Sequence, residues 1–394
     1  MPMSSARILV ASDYNVATRA YYKTAFELCR VVGACHDAEI LAPDRRAAGL
    51  NRDLDKILDR IRSDAGLKHH PTMTPVVLKQ DYELFFFVCW NLHGLVQLSR
   101  IKDWRSRCAT AAVFINEIWS SSLFKNRAYA RLLDSFDHVF VANRSVIPAL
   151  QQCTKTRCTF LAPGVDCLTA SPFPQQPDRV IDVYSFGRRP AGIHRQLLAL
   201  AEQQKIFYLY DSLSSSDSLV KDWREHHLLT ANNIKRSRYV LAFNPAAAGD
   251  LKSIEVNGEQ VLSARLFEGA AGGAVMIGTP PQTPDFEQYF NWPDAVIDIP
   301  SDPSDAHALL IDLDRQPERM CRARQTGAIE SLRRHDWVYR WEQVLEVLGI
   351  TAPASIAERK FQLRRLAELA SARDLGELST RIRAGTASPS KSRG

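Results

Sequence analysis

Short apolar runs alternate with longer helix-like stretches along most of this chain, and that alternation constrains the fold more than any other feature. The clearest run is 82–90 (YELFFFVCW), in which Glu83 is the only charged residue. A run without regular polar positions is typical of a strand covered on both faces, as in a parallel sheet between helices. We therefore predict an α/β fold. Further strands are predicted at 7–12, 38–41, 110–117, 138–142, 159–162, 179–186, 206–210, 239–244, 274–278 and 295–299, and helices at 17–32, 53–63 and 261–271.

A proline-rich segment divides this alternation into two halves. Residues 171–178 (SPFPQQPD) hold three prolines within six positions, which excludes a continuous helix or a central strand. The length of 394 residues also favours two domains over one. The predicted boundaries are 1–170 for the first domain, 171–178 for the linker, 179–335 for the second domain, 336–383 for C-terminal helices and 384–394 for a disordered basic tail.

The net charge of +6 is concentrated near the C-terminus. From Ser355 onward there are nine basic and four acidic residues, which accounts for five of the six charges. A nucleic-acid enzyme usually carries its positive charge over a folded face with aromatic residues for stacking. We therefore expect no nucleic-acid partner, and a basic C-terminal stretch that either is solvated or holds the protein peripherally at an anionic membrane.

The eight cysteines and the N-terminal residues favour a cytoplasmic protein. The cysteines form no CxxC pair, whereas disulfide frameworks belong mostly to short secreted chains and zinc sites need closer spacing. No signal peptide is expected, because the first residues lack a cationic region followed by a long apolar one. The longest apolar run, 84–90, is too short to cross a bilayer.

The segment 263–278 (SARLFEGAAGGAVMIG) carries the most specific signal. A single carboxylate, Glu268, lies in a predicted helix among apolar and small residues, where it points either to solvent or into a cleft. The segment resembles the part of group 1 (GT-B) glycosyltransferases, in the branch of spore-maturation-type enzymes, that faces the donor nucleotide. A carboxylate can accept both hydroxyls of a ribose, and small residues such as Gly269 let the backbone approach a ligand.

Two further segments resemble the same family in the expected order. Residues 163–166 (PGVD) are similar to the end of its first domain, and 183–189 (VYSFGRR) to the first strand of its donor domain. The resemblance implies a GT-B fold, two Rossmann-like domains facing a central cleft, and a helix at 336–348 that crosses back to the first domain. It implies a nucleotide-binding role for Glu268 and Gly269, and also for the residues Gly187, Arg188, Arg189 and Arg195.

The chain departs from the family pattern at two places. The glutamate that the family often carries eight positions before Glu268 is Gln260 here, which we assign to sugar binding, and Glu259 would face another side of the helix. The usual lysine after the Gly-Arg pair is missing, so that the cation taking its role is not identified by the sequence.

The first domain offers two candidate catalytic residues. His93 and Glu117 each follow a predicted strand, where a loop would face the cleft, although a loop histidine and a helix-capping glutamate are the simpler interpretations. The Asp-x-Asp pairs at 53–55 and 312–314 lie in helical, charged stretches and not at strand ends, so we predict no metal site and no cofactor.

The resemblance implies a glycosyltransferase that uses a nucleotide-diphosphate sugar as donor substrate. It would be metal-independent and retaining, with a glycan, a lipid-linked sugar or a protein as acceptor. Two alternatives stay open: a nucleotide-sugar 2-epimerase of the same fold, and a non-catalytic GT-B module that binds a sugar nucleotide or a partner.

Overall fold

Two separate parallel sheets form the framework of the protein. The computed structural model describes residues 7–12, 20–41, 76–211, 220–243, 258–299 and 305–372. In chain order the strands are β1 (Ile8–Ser12), β2 (Ala38–Leu41), β3 (Val76–Val77), β4 (Tyr82–Cys89), β5 (Ile101–Lys102), β6 (Cys108–Ile115), β7 (His138–Val141), β8 (Cys158–Phe160), β9 (Ile181–Ser185), β10 (Tyr208–Tyr210), β11 (Ser237–Phe243), β12 (Val275–Thr279) and β13 (Ile297–Asp298).

The first sheet has the strand order β2-β1-β4-β6-β7-β8, and the second has the order β10-β9-β11-β12-β13. Every strand pair in both sheets is parallel. Strands β3 and β5 form a small pair of their own. The α/β fold that the sequence predicts is therefore confirmed.

The central strands of the first sheet are buried on both faces. In β1, Ile8 and Val10 pack into one apolar cluster while Leu9 and Ala11 pack into the cluster on the opposite face. Phe86 of β4 lies between Val10 and a small residue of β6, and is fully buried. Burial on both faces explains why 82–90 shows no alternation of polar and apolar residues.

Helices cover both sheets and continue past the second one. In chain order they are α1 (Lys23–Cys35), α2 (Ser120–Lys125), α3 (Arg127–Ala130), α4 (Ile147–Gln151), α5 (Cys167–Ala170), α6 (Ala191–Glu202), α7 (Trp223–Lys235), α8 (Ala264–Ala271), α9 (Pro284–Tyr289), α10 (Ala306–Asp314), α11 (Pro317–Arg334), α12 (Trp337–Leu348) and α13 (Ala354–Ala372).

The predicted strands agree with the observed ones to within a few residues, but some helix limits differ. The helix predicted at 17–32 begins at Lys23, after a 3-10 turn over Ala20–Tyr22. The helix predicted at 261–271 begins only at Ala264, because residues 258–263 are not helical. The predicted helix 53–63 and the predicted tail 384–394 lie outside the described residues.

Helix α12 lies against the first domain, although it follows the second in sequence. The ring of Trp341 is fully buried 5.2 Å from that of Phe86 in β4, and its Nε1 donates to Nδ1 of His36 at 3.0 Å. Trp337 donates from Nε1 to Oε2 of Glu27 in α1 at 3.2 Å. The two indoles therefore fix α12 through apolar burial and through a directed hydrogen bond each.

The Pro-Gly-Val-Asp segment (163–166) contacts the residues that lead from α11 into α12. The N–H of Val165 donates to the carbonyl of His335 at 3.1 Å, and the N–H of Trp337 donates to the carbonyl of Val165 at 3.2 Å. A Cβ on Gly164 would lie 2.9 Å from the ring of Trp337, so only glycine fits there without a shift. The sequence motif thus serves to dock the returning chain.

One arginine of the last described helix fastens this junction. Arg359 in α13 donates from Nη2 to Asp166 at 2.7 Å and to Asp336 at 2.8 Å. Asp336 also caps α12 by accepting from the N–H of Val338 at 2.9 Å.

None of the helices that the structure describes is long and apolar enough to span a membrane.

Replacing Trp341 by alanine should destabilise the protein strongly, because a fully buried indole would leave a cavity between α12 and the first sheet. The expected loss is about 3–5 kcal/mol of unfolding free energy. Denaturant unfolding of the parent and the variant measures it. Val347→Ala is the matched control, because Val347 lies on the same helix but is 40% exposed. Equal stability of Trp341→Ala and Val347→Ala would contradict the described docking of α12.

Candidate functional site between the two domains

The carboxyl ends of the two sheets meet across a seam that polar side chains close. Glu259 lies in the non-helical segment before α8 and reaches the first domain. Its carboxylate accepts from the N–H of Ser120 at 2.9 Å, from Nδ2 of Asn143 at 2.7 Å and from Oγ of Ser145 at 2.9 Å. These partners follow β6 and β7, so Glu259 links the end of one sheet to the other domain. The expectation that Glu259 faces another side of the helix is wrong, because α8 starts five residues later.

Glu268 lies inside this seam and not at the protein surface. It occupies the middle of α8 and is 7% exposed. Its Oε1 is 2.6 Å from Nζ of Lys23, the first residue of α1 in the first domain. Burial alone would lower the pKa of Lys23, but the carboxylates of Glu268 and Glu27 raise it above its ordinary value, so the lysine is charged. Glu268 is therefore half of a buried ion pair between the domains.

A second buried carboxylate, Glu27, lies one turn further along α1. Its Oε1 is 2.9 Å from Nδ1 of His227 in α7, and its Oε2 accepts from the N–H of Asp166 at 3.1 Å. Burial lowers the pKa of His227, but the nearby Glu27 outweighs burial and raises it. A cavity of about 10 Å³ between His227 and Glu268 has room for one water molecule. The lysine and the glutamate of α1 thus contact two different helices of the second domain.

The end of β9 brings several cations together. Gly187 has a φ of 68°, and a Cβ there would lie 2.9 Å from Nη2 of Arg265 in α8. Arg265 lies over the ring of Phe186 at 5.5 Å, and burial lowers its pKa to about 10. The positive charges of Arg188 and Arg189 contribute to this lowered pKa, and the carboxylates of Glu268 and Asp211 oppose it.

Arg189 is already paired within its own domain. Its Nη1 donates to Oδ1 of Asp211 at 3.0 Å, and the N–H of Gly187 donates to Oδ2 of the same carboxylate at 2.7 Å. Arg189 therefore shapes the loop after β9, whereas Arg188 and Arg265 lie beside it. Arg195 is exposed on α6, and nothing within the described residues brings it to Glu268.

Gly269 lies on the opposite side of α8 from the seam. A Cβ there would lie 2.8 Å from Sδ of Met276 in β12 and 3.9 Å from Val240 in β11. Close packing of the helix on its sheet explains the small residue. Contact of Gly269 with a nucleotide stays a prediction.

A larger cavity of about 170 Å³ opens along the same seam. Its walls include Asn143, Arg144 and Phe160 from the first domain and Gln260 and Asp285 from the second. Arg144 stacks over the ring of Phe160 at 4.1 Å, and its Nε donates to Oδ1 of Asp285 at 2.7 Å. Gln260 accepts from the N–H of Gln282 at 2.6 Å, which fixes its side chain in the wall.

The two candidate catalytic residues of the first domain lie in neighbouring loops. The N–H of Glu117 donates to the carbonyl of Trp90 at 2.7 Å, which ties the loop after β6 to the loop after β4. Glu117 accepts from Nε1 of Trp119 at 2.9 Å, and the exposed His93 has its ring 4.8 Å from that of Tyr129. Catalytic roles for both stay predictions.

No group of three or more His, Cys, Asp or Glu side chains in the described ranges is arranged to hold a metal ion. Asp314, in one of the two Asp-x-Asp pairs, is bound by Arg238 and accepts from the hydroxyl of Tyr239 at 2.7 Å. The other pair, at 53–55, lies outside the described residues.

Comparison with known proteins agrees with this architecture. Residues 193–346 match the family model described as glycosyl transferase-like. An alpha-glucosyltransferase in complex with UDP-glucose and DNA containing an abasic site superposes with a TM-score of 0.54 at 11% identity, covering 88% of this chain and 100% of that one. The chain therefore has the GT-B fold, and its residues 193–346 are glycosyl transferase-like.

Two more solved structures can be compared with this chain. The alpha-glucosyltransferase in complex with UDP and a 13-mer DNA containing a central A:G mismatch gives a TM-score of 0.51 at 13% identity, with the same 88% and 100% coverage. HepE from Anabaena, in complex with UDP and glucose, gives 0.48 at 11% identity, again covering 88% and 100%. A sequence comparison with curated proteins finds no match.

Sequence reasoning missed the first-domain side of the candidate site. Lys23 and Glu27 lie about 200 residues or more before His227 and Glu268 in the sequence, and only the fold brings these side chains together. The helix predicted at 17–32 places Lys23 in its middle, so the position of the lysine at the start of α1 is a finding of the structure.

Proposed function

We propose that this chain is a glycosyltransferase that moves a sugar from a nucleotide-diphosphate sugar to an acceptor, with the donor bound between the two domains. The burial of Glu268 in the seam carries the proposal. The sequence left open whether this carboxylate points to solvent or into a cleft, and its 7% exposure together with its contact to the first domain supports the cleft. Ligands of open α/β sheets bind beyond the carboxyl ends of the strands, which is where Glu268 lies.

The nucleotide would be held by Glu268 and by the cations at the end of β9. A carboxylate oxygen pair can accept both ribose hydroxyls. Arg188, Arg189 and Arg265 surround Gly187, and their charges suit a leaving diphosphate. Stabilising that departing charge is the main catalytic task in such a transfer, so we propose a metal-independent reaction that uses no cofactor.

The sugar would occupy the cavity of about 170 Å³ that Gln260 lines. We propose that His93 and Glu117 act from the first domain, where the acceptor would lie, and that the reaction retains the anomeric configuration. The acceptor would be a glycan, a lipid-linked sugar or a protein. The DNA in the resolved complexes belongs to those proteins, whereas five of the six net positive charges of this chain lie from Ser355 onward.

One observation favours the rival function, a GT-B module that binds without turnover. The carboxylate of Glu268 is paired with Lys23, and the cavity beside it has a volume of only about 10 Å³. A nucleotide can enter there only if the domains separate or the lysine moves. The rival predicts binding of a sugar nucleotide with no product.

Incubation with UDP-glucose, GDP-mannose and dTDP-glucose, followed by NMR of the products, separates these functions. We expect slow release of free sugar from one donor in the absence of acceptor, in the original anomeric configuration and unaffected by EDTA. A 2-epimer of the donor sugar would indicate an epimerase, and tight binding without any product would indicate the non-catalytic module. Either result would contradict the proposed transferase.

Glu268→Gln should weaken nucleotide binding by about one to two orders of magnitude, because hydrogen bonds to a charged group contribute about 1.5–3 kcal/mol. The sequence alone suggested that folding would barely change, but the buried pair with Lys23 means that the melting temperature should fall as well. Calorimetric titration and a melting curve measure the two effects separately.

Glu259→Gln is the matched control, because Glu259 also bridges the domains but faces Ser120, Asn143 and Ser145. It should lower stability with little effect on nucleotide affinity. If both variants lose the same affinity, closure of the seam explains the loss, and Glu268 has no direct contact with the ligand.

We further propose that α13 and the basic stretch after it contact an anionic membrane. Phe361 and Leu369 are 55% and 49% exposed on α13, and Arg364 and Arg365 are exposed between them. Exposed apolar side chains beside cations are typical of a helix that lies at the headgroup level of a bilayer.

Arg364→Glu/Arg365→Glu should reduce co-sedimentation with phosphatidylserine vesicles at low salt, since each basic residue near such a surface contributes about 1 kcal/mol. The control is Arg131→Glu/Arg236→Glu, which makes the same charge change at exposed positions elsewhere. No sedimentation of the parent protein, or equal loss in both variants, would contradict a specific contact through α13.

A further inference from the structure

Lys23 lies in a place where a lysine is unfavourable unless an anion is close. It is the first residue of α1, so its positive charge adds to the positive end of the helix dipole. Its side chain is 8% exposed, and lysine is among the residues least often buried without a partner. The partner is Glu268, at 2.6 Å.

The surroundings of Lys23 contain charges of both signs. Its Nζ lies 5.2 Å from the centre of the Phe186 ring, and the guanidinium of Arg265 lies 5.5 Å from the centre of the same ring. Arg188 is close enough to Arg265 to lower its pKa. Glu268 is the carboxylate in contact with Lys23, while Glu27 acts on it from one turn along α1 and contacts His227 and Asp166. Asp211 is engaged by Arg189 and Gly187.

A nucleotide would change the partners of this lysine. While Oε1 of Glu268 is bound to Nζ of Lys23 in the closed seam, the cavity of about 10 Å³ beside Glu268 leaves no room for a ribose to reach both carboxylate oxygens. If the ribose takes Glu268, Lys23 keeps its place at the helix start, where an anion is favoured, and needs a new partner. The diphosphate beside the ribose carries that charge.

We propose that Lys23 is a donor-binding residue that exchanges Glu268 for the diphosphate when a nucleotide enters. The inference rests on the proposed function and adds a first-domain cation to the site. It also supplies the positive charge for which the sequence offered no lysine after Gly187 and Arg188. The exchange couples donor binding to the contact between the domains, because the same lysine belongs to both.

The test of this exchange is to measure how Lys23→Met changes two sets of affinities relative to the parent protein. One set is for UDP, GDP and dTDP, and the other is for uridine, guanosine and thymidine. Loss of the cation should weaken binding of the preferred diphosphate by about tenfold or more. Affinity for the matching nucleoside should stay the same or rise, because Glu268 no longer has a competing partner. Lys23→Arg keeps the charge and should keep most of the preference for the diphosphate. Lys205→Met, at an exposed position, should change neither affinity.

A lysine that only holds the domains together would give a different pattern. Lys23→Met would then weaken nucleoside and diphosphate by the same factor, or leave both unchanged, and either result would overturn the inference. If the unpaired Glu268 prevents Lys23→Met from folding, Glu268→Gln is compared with Lys23→Met/Glu268→Gln. Adding Lys23→Met to Glu268→Gln must then lower the affinity for the diphosphate and leave the affinity for the nucleoside unchanged. A parent protein that binds none of the three diphosphates would instead refute the proposed function itself.

Discussion

Burial of charge between the two domains is the constraint on which the rest of the site depends. Lys23 and Glu27 lie one turn apart on α1 and contact Glu268 and His227 on two helices of the second domain. Breaking a buried ion pair by removing one partner costs about 3–5 kcal/mol, because the other charge stays behind without compensation. The relative position of the domains is therefore fixed most strongly at the residues that are expected to bind the donor.

The C-terminal helices extend this constraint to the far side of α1. Glu27 accepts from Trp337 as well as from the Pro-Gly-Val-Asp segment, and Arg359 joins Asp166 to Asp336. Helix α1 thus contacts the second domain through one part of its surface and the returning α12 through another. Glu27 therefore contacts both the second domain and α12.

The sequence predicts the framework well because each sheet strand is a local pattern. The run 82–90 is apolar because β4 is covered on both faces, and the prolines of 171–178 lie between β8 of the first sheet and β9 of the second. The contacts of the site depend on tertiary structure and are not local. Glu259 was placed on a helix face that does not exist, since α8 begins at Ala264. Lys23 was not singled out, because its partner lies on α8 and no spacing in the sequence connects the two.

A crystal structure of the protein with a bound nucleoside diphosphate tests the central claim most directly. We expect both ribose hydroxyls to lie within hydrogen-bond distance of the carboxylate of Glu268, and Nζ of Lys23 to have left Glu268. A nucleotide bound away from Glu268, with the ion pair of Lys23 and Glu268 intact at its 2.6 Å separation, would contradict it.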